Sequence, residues 1–214
     1  MKKILGLISV ILCSATVALF TSCLNSDGDP GMTPERINQC INLMSGNYTS
    51  SSNKAFFYND TISGENKTDS LEDISAYVYS RDTTLIVNGI SNRVLAKTLK
   101  DESLKKILEK APQGNLKIKF LPFNEIGSQV WFFVYPYDYT FPAINIGDKT
   151  HKVQVKFYVP SSGVFNHANQ KKEIAISLIP SAIYIDDKKA ESIYDGKSEE
   201  EKIGKSEILI HTKM

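Results

Sequence analysis

The segment Lys152–Val159, which reads KVQVKFYV, decides the fold class. Apolar side chains occupy every second position of this segment: Val153, Val155, Phe157 and Val159. Because successive side chains of a β-strand point to opposite faces of the sheet, this alternation predicts a strand with one buried face and one face in water.

The same pattern recurs elsewhere in the chain. At 116–120, leucine, isoleucine and phenylalanine alternate with Lys117 and Lys119. Shorter runs of β-branched and aromatic residues predict strands at 53–58, 73–79, 83–87, 127–135, 174–179, 182–186 and 206–212. Parallel strands need long crossovers, and two helical regions are too few to connect about nine strands in parallel. We therefore predict a mainly β domain of the α+β type, whose antiparallel sheet closes into a barrel or packs as a two-layer sandwich with one or two short helices.

Two segments carry helical patterns. In the first, Thr33 supplies a capping hydroxyl, Pro34 takes the first helical position and Gly46 ends the helix. Its apolar face consists of Ile37, Cys40, Ile41 and Met44. The second segment lies near 91–111, where one face consists of Leu104, Ile107, Leu108 and Ala111. We expect the first helix to cover the sheet as a lid or plug.

Turn residues predict where the strands end. Asn88-Gly89, Ser161-Ser162-Gly163 and the run Asp186–Lys189 carry turn chemistry. Residues 59–72 are polar and have no periodicity, which predicts a long loop.

Composition and charge exclude two classes of protein. The chain has 214 residues, of which 42% are hydrophobic and 23% charged, so it is too apolar to be disordered. Its 25 basic residues nearly balance 24 acidic ones. Because proteins that track phosphates carry a basic excess, we expect no nucleic-acid partner.

The amino end has the pattern of an export signal. Lys2 and Lys3 precede an apolar run at 4–20, which ends in the small residues Thr21 and Ser22 and then Cys23. A charged start, an apolar centre and a small-residue end predict a secretory signal peptide over residues 1–22. Residues 23–32 are polar and turn-rich, which predicts a flexible tether, and residues 33–214 are predicted to form a single domain.

The segment Leu19-Phe20-Thr21-Ser22-Cys23 resembles the lipobox of bacterial lipoproteins. That resemblance implies that the sulfur of Cys23 carries lipid after the signal is removed, which would anchor the protein to a membrane that it does not span. Asp27 and Asp29 resemble the surface-export signals of Bacteroidetes lipoproteins. We expect an outer-membrane lipoprotein of the cell envelope, and its periplasmic or surface-exposed position stays open.

The most unusual local feature runs from Trp131 to Phe141. Every odd position is aromatic: Trp131, Phe133, Tyr135, Tyr137, Tyr139 and Phe141. On an extended chain these six rings would share one face, either as the filling of the core or as the wall of a ligand site. Pro136 and Pro142 interrupt a central-strand ladder, so the second half is predicted to be an edge or an irregular crossing.

No group of residues with the spacing of a catalytic or metal site stands out. Cys40 lies on the apolar face of the first helix, which favours a buried structural thiol over a nucleophile. The histidines, His151, His167 and His211, lie far apart in sequence, without metal-ligand spacing. Asp186 and Asp187 are neighbours in a predicted turn and do not form an opposed carboxylate pair. We expect no catalytic residue, no metal, no cofactor and no enzyme activity.

Several segments resemble a known family over nearly all of the chain after Cys23. They are Leu43–Thr49, Leu104–Phe120, His151–Val153 and Ala182–Asp186. Together they resemble a family of uncharacterised Bacteroidetes lipoproteins that is known only as a domain of unknown function. Gly46-Asn47-Tyr48 also resembles the Gly-x-Trp opening of lipocalin-like barrels, with tyrosine in place of the tryptophan.

These observations predict a monomeric, non-enzymatic envelope lipoprotein that binds a small apolar or amphipathic ligand such as a lipid. The predicted wall residues are Trp131, Phe133, Tyr135, Tyr137 and Tyr139. Two alternatives stay open: a carbohydrate-binding or assembly component of a surface glycan-uptake system, and a purely structural envelope protein. A closed pocket beside the rings would favour a lipid, whereas a flat ring-lined surface would favour a glycan.

Overall fold

The chain forms two antiparallel sheets that enclose one hydrophobic core. A computed structural model describes residues 31–59, 69–71, 74–97, 99–193 and 206–214. Within these ranges a ten-stranded sheet curls into a half-barrel, and a four-stranded sheet lies against its open side. The predicted mainly β fold with antiparallel pairing is confirmed.

The two sheets comprise fourteen strands within the described residues. Their bounds are β1 (Gly46–Tyr48), β2 (Lys54–Asn59), β3 (Asp69–Leu71), β4 (Ser75–Tyr79), β5 (Thr84–Ile90), β6 (Gly114–Ile126), β7 (Gln129–Pro136), β8 (Tyr139–Ile146), β9 (Lys149–Phe157), β10 (Ser161–Asn166), β11 (Glu173–Leu178), β12 (Pro180–Ile185), β13 (Lys188–Ser192) and β14 (Ser206–Lys213). The ten-stranded sheet has the order β1-β4-β5-β6-β7-β10-β11-β14-β2-β3, and the four-stranded sheet has the order β13-β12-β9-β8.

The first predicted helix is confirmed as α1 (Pro34–Met44). Thr33 caps it by accepting a hydrogen bond from the Arg36 amide, and Cys40, Ile41 and Met44 are buried. The Arg36 guanidinium also binds both oxygens of Glu125 in β6, each at 2.6 Å. This two-pronged ion pair attaches the helix to the sheet, in addition to its apolar face.

The second helical region consists of two short helices, α2 (Asn92–Ala96) and α3 (Glu102–Glu109). Asp101 caps α3, because its carboxylate accepts hydrogen bonds from the amides of Ser103 and Leu104 at 2.8 and 3.0 Å. A capping residue in extended conformation interrupts a helix, which is why the predicted single region divides in two. Leu104 and Leu108 are buried as the apolar pattern predicted.

The core lies between the inner faces of the two sheets. The half-barrel contributes Val87, Ile118, Phe132, Ile176 and Ile210, and the four-stranded sheet contributes Tyr139, Phe141, Val153, Val155 and Ile183. Packing is close enough that a Cβ added to Gly163 in β10 would overlap the ring of Phe132. Glycine is therefore needed in β10 for a close side-chain approach.

Asn53 joins the two ends of the curled sheet. It is fully buried in the link 49–53, between β1 at one edge and β2 near the other. Its Nδ2 donates to the Tyr48 carbonyl at 2.9 Å, and its Oδ1 accepts from the Lys213 amide at 2.7 Å. One side chain thus binds β1, at one edge of the sheet, and β14, the third strand from the other edge.

Four local predictions need correction. Asn88-Gly89, predicted to be a turn, forms a bulge inside β5, where Gly89 has a φ of 76°. The turn prediction is wrong because a bulge and a turn can both use glycine with a positive φ. Ser161-Ser162-Gly163 starts β10 and pairs with β7. Residues 69–71, predicted as loop, form the edge strand β3. Val159 is exposed because β9 ends at Phe157.

The hairpin turn predicted at Asp186–Lys189 is confirmed. Asp186 and Asp187 both have positive φ, 48° and 62°, as two-residue hairpin turns require. In the described ranges, no helix is both long enough and apolar enough to cross a membrane. The predicted signal peptide and Cys23 lie outside the described residues, as does most of the tether.

Candidate ligand-binding face

The first half of the aromatic run lies on the outer face of the half-barrel. In β7, Val130, Phe132 and Val134 are fully buried and point into the core. The alternate residues Trp131, Phe133 and Tyr135 therefore point away from the core. Their exposed fractions rise along the strand, from 9% for Trp131 to 37% for Tyr135, and Phe133 has an intermediate value.

The second half of the run belongs to the core. After Pro136 the chain leaves the ten-stranded sheet and enters β8 of the four-stranded sheet, which faces the core from the opposite side. Tyr139 and Phe141 are each 1% exposed and make an edge-to-face contact with ring centroids 5.1 Å apart. The prediction that six rings share one face is therefore wrong, because the change of sheet reverses inside and outside.

Tyr139 is held inside the core by a hydrogen-bond network. Its hydroxyl donates to Oδ1 of the buried Asn92 at 2.6 Å. Asn92 in turn donates to the carbonyls of Ala111 and Pro112. Burial raises the pKa of Tyr139 to about 12. This environment fits a structural residue, so Tyr139 stands apart from the other predicted wall residues.

Strand pairing places two further tyrosines on the outer face with Tyr135 and Tyr137. Residues opposite each other across a ladder share a face of the sheet. One row across β4, β5, β6 and β7 therefore consists of Tyr79, Thr84, Lys119 and Tyr135. The neighbouring row consists of Tyr77, Ile86, Lys117 and Tyr137, where the Tyr137 amide donates to the Lys117 carbonyl. We name Tyr77, Tyr79, Tyr135, Tyr137, Lys117 and Lys119 the tyrosine face.

The tyrosine face is open to solvent. Tyr79 is 50% exposed and Tyr137 is 47% exposed. The Lys117 ammonium lies 5.4 Å from the centre of the Tyr137 ring, within the range of a cation–π contact. The Lys119 ammonium donates to the backbone carbonyl of Asp82 in the β4–β5 turn. The face therefore combines flat rings with two positive charges.

An apolar patch continues the tyrosine face along the same strands. It consists of Leu121, Phe123, Trp131 and Phe133. Phe123 stacks on Phe133 with centroids 4.3 Å apart, and Leu121 is opposite Phe133 in the ladder. The indole nitrogen of Trp131 and the hydroxyl of Ser162, which is opposite Phe133, are buried without a hydrogen-bond partner in the structure.

The cysteine and histidine side chains with catalytic chemistry lie in separate places. Cys40 is buried in α1, and burial raises the pKa of its thiol, which disfavours the reactive thiolate. His151 in β9 contacts Asp186 in the β12–β13 turn, at 2.7 Å on the surface of the four-stranded sheet. His211 lies beside Glu173 in another part of the structure, and burial lowers its pKa. Among the described residues, no three His, Cys, Asp or Glu side chains come together as metal ligands.

Sequence reasoning named two members of the tyrosine face, Tyr135 and Tyr137, and missed its other four. The alternation at 116–120 predicted that Lys117 and Lys119 lie on the solvent side of a strand, but it did not show which residues of the adjacent strands lie beside them. Tyr77 and Tyr79 alternate with the buried residues Ala76 and Val78. The same alternation therefore indicates that both tyrosines lie on the outer face of the strand. What the sequence lacked was the pairing of β4 through β7.

The fold is that of a β-rich protein, and its half-barrel carries exposed tyrosines on the outer face. The chain belongs to the family described as Domain of unknown function (DUF4840), whose model matches residues 43–185. The match covers β1 to β12 and so includes the whole tyrosine face. No curated protein and no solved structure matches the chain. The predicted membership of a family of unknown function is confirmed.

Proposed function

We propose that this protein is a non-enzymatic envelope lipoprotein whose tyrosine face binds carbohydrate. The observation that carries this proposal is the arrangement of four tyrosines on one open face, with Lys117 and Lys119 between them. Tyrosine rings offer flat apolar surfaces to the C–H face of a sugar, and their hydroxyls form hydrogen bonds at the ring edge. The lysine ammonium groups supply further donors for sugar hydroxyls.

The dimensions of the face suit an oligosaccharide. Strands β4 to β7 span three inter-strand spacings, or about 14 Å, and the rows repeat about every 7 Å along a strand. Tyr79 and Tyr135 lie at opposite ends of one row, so a ligand that touches both must be longer than one sugar ring. An open platform of this length favours a polysaccharide over a single monosaccharide.

The envelope location is proposed from the amino end of the sequence. The signal-peptide pattern, the resemblance of Leu19–Cys23 to a lipobox and the resemblance to Bacteroidetes lipoproteins all support it. A tether of residues 23–32 reaches at most about 35 Å when fully extended. The domain would therefore work close to the membrane that carries the lipid on Cys23.

An acyl-chain ligand, the first prediction from the sequence, has support from the apolar patch. Leu121 and the Phe123–Phe133 stack offer apolar area beside the tyrosines. The inner faces of the sheets, in contrast, carry fully buried side chains packed against one another. The apolar patch would hold a lipid on the outer surface. Exposed tyrosines beside lysines match a sugar better, because they offer stacking rings and hydrogen-bond donors.

The test is binding of soluble polysaccharides by the full-length protein in detergent micelles. Affinity electrophoresis against xylan, glucomannan, polygalacturonate and chondroitin sulfate would detect retardation. We expect the pair of substitutions Tyr135→Ala and Tyr137→Ala to weaken binding by about 5- to 150-fold, since each ring contributes about 0.5–1.5 kcal/mol. Tyr184→Ala is the matched control, because Tyr184 lies on the four-stranded sheet beneath Lys156.

Two results would overturn the carbohydrate proposal. One is that no polysaccharide retards the wild-type protein. The other is that Tyr184→Ala weakens binding as much as the double substitution. Binding of a fluorescent fatty acid that requires Tyr135 and Tyr137, without any polysaccharide binding, would replace the sugar by a lipid ligand.

A further inference from the structure

We infer that the tyrosine face selects acidic polysaccharides, those that carry carboxylate or sulfate groups on the sugar rings. This inference rests on the carbohydrate binding proposed above and specifies the class of sugar. It depends on where the positive charges lie and on which of them already have acidic partners.

Two positive charges stand together in the middle of the tyrosine face. Lys117 and Lys119 occupy alternate positions of β6, so their Cα atoms are about 7 Å apart on the same side of the sheet. Each is opposite a β5 residue on one side; on the other side Lys119 is opposite Tyr135 of β7, and Lys117 is next to Tyr137, which directly follows β7. A ligand that stacks on Tyr135 or Tyr137 must therefore pass beside an ammonium group.

Neither ammonium group is neutralised by a carboxylate in the described part of the chain. Lys117 contacts the Tyr137 ring, and Lys119 donates to the carbonyl of Asp82. Both contacts leave the full positive charge available, because a ring and a neutral carbonyl carry no net charge.

The outer face of the four-stranded sheet shows the opposite arrangement. There Lys152 pairs with Asp187 at 2.8 Å, and Lys156 pairs with Asp138 at 3.6 Å. Lys156 also lies over the ring of Tyr184, so this face too combines lysine with tyrosine. The difference between the two faces is the acidic partner, which the tyrosine face would receive from its ligand.

Charge complementarity of this kind acts together with ring stacking. The sugar ring would lie on Tyr135 or Tyr137, while its carboxylate meets the ammonium of Lys119 or Lys117. Exposed ion pairs are weak one at a time and are screened by salt. Two ion pairs on the tyrosine face would therefore make binding stronger for acidic polymers and sensitive to salt. Stacking of the sugar rings on the tyrosines would supply the rest of the affinity.

The experiment compares two forms of one polymer, polygalacturonate and its fully methyl-esterified form. Both forms have the same sugar backbone, and only the first carries charge. We expect the full-length protein to bind polygalacturonate more tightly, and the pair Lys117→Gln and Lys119→Gln to weaken that binding by about 2- to 30-fold. Binding of the esterified form should weaken less than binding of the charged form, because the glutamine amides still donate hydrogen bonds to sugar hydroxyls. The control pair Lys152→Gln and Lys156→Gln, which removes the same net charge, should leave both affinities unchanged.

Distinct outcomes separate this inference from the carbohydrate proposal. Equal affinity for the two forms, or an equal loss in the control pair, would overturn the acidic preference and leave carbohydrate binding intact. Failure of every polysaccharide, charged or neutral, would overturn both. Lysine-dependent binding to vesicles of phosphatidylglycerol without polysaccharide binding would assign the two charges to a membrane surface.

Discussion

Replacement of Tyr139 by phenylalanine tests whether this residue belongs to the core or to a ligand site. The change removes one hydroxyl and keeps the ring, so the edge-to-face contact with Phe141 persists. It leaves Oδ1 of Asn92 without the hydrogen that Tyr139 donates at 2.6 Å, in a place where Asn92 is almost fully buried. A buried acceptor that loses its partner costs about 1–3 kcal/mol.

That cost can be measured as a shift of the unfolding midpoint. In a domain of this size, 1 kcal/mol corresponds to about 2–4 °C in Tm. Thermal and urea unfolding of Tyr139→Phe should therefore show a clear loss of stability with an unchanged m-value, whereas Tyr137→Phe, on the exposed face, should stay within about 0.5 kcal/mol of wild type. Polysaccharide binding should be the same as wild type for Tyr139→Phe. A fully stable Tyr139→Phe variant that has lost ligand binding would refute the assignment of Tyr139 to the core.

Two further predictions concern stability. Asn53→Ala should destabilise the protein by about 2–4 kcal/mol in urea unfolding, because it removes the partners of the Tyr48 carbonyl and the Lys213 amide; an effect no larger than that of the exposed control Asn47→Ala would contradict it. Stability should also fall between pH 10 and 12. Burial raises the pKa of Tyr139 from 10 to about 12, so the folded state keeps a proton that the unfolded state loses. Below pH 10, Tyr139 should not contribute to any change of the unfolding midpoint with pH. Above pH 10, the stability of Tyr139→Phe should fall less steeply than that of the wild type. An equally steep fall in both proteins would count against the raised pKa.

The sequence predicted the fold class because local alternation reports burial directly. The run at 152–159 and the lysine-alternating run at 116–120 both form strands with the predicted inner faces, except at Val159, where the strand has already ended. The helix after Thr33 was predictable for the same reason, since its cap and its apolar face lie within a few residues.

The candidate site was only half predictable, because it depends on which strands are neighbours. Alternation shows that Trp131, Phe133 and Tyr135 share a side, but it gives no sign that the chain changes sheets between Tyr137 and Tyr139. The pairing of Tyr79 with Thr84 and of Lys119 with Tyr135 also depends on strand register. A local sequence pattern does not show which strands pair or in which register. Asn88-Gly89 shows the same limit on a smaller scale, because a positive φ alone does not distinguish a bulge from a turn.

The position of β14 has a consequence for when this protein folds. This last strand lies between β11 and β2, and its Lys213 amide binds Asn53, 160 residues earlier in the chain. The ten-stranded sheet therefore has a gap between β11 and β2 until β14 has paired with both strands. Contacts of such long range slow folding. We therefore expect the pairing of β14, the eight residues Ser206–Lys213, to be a late step of folding that joins the two parts of the ten-stranded sheet.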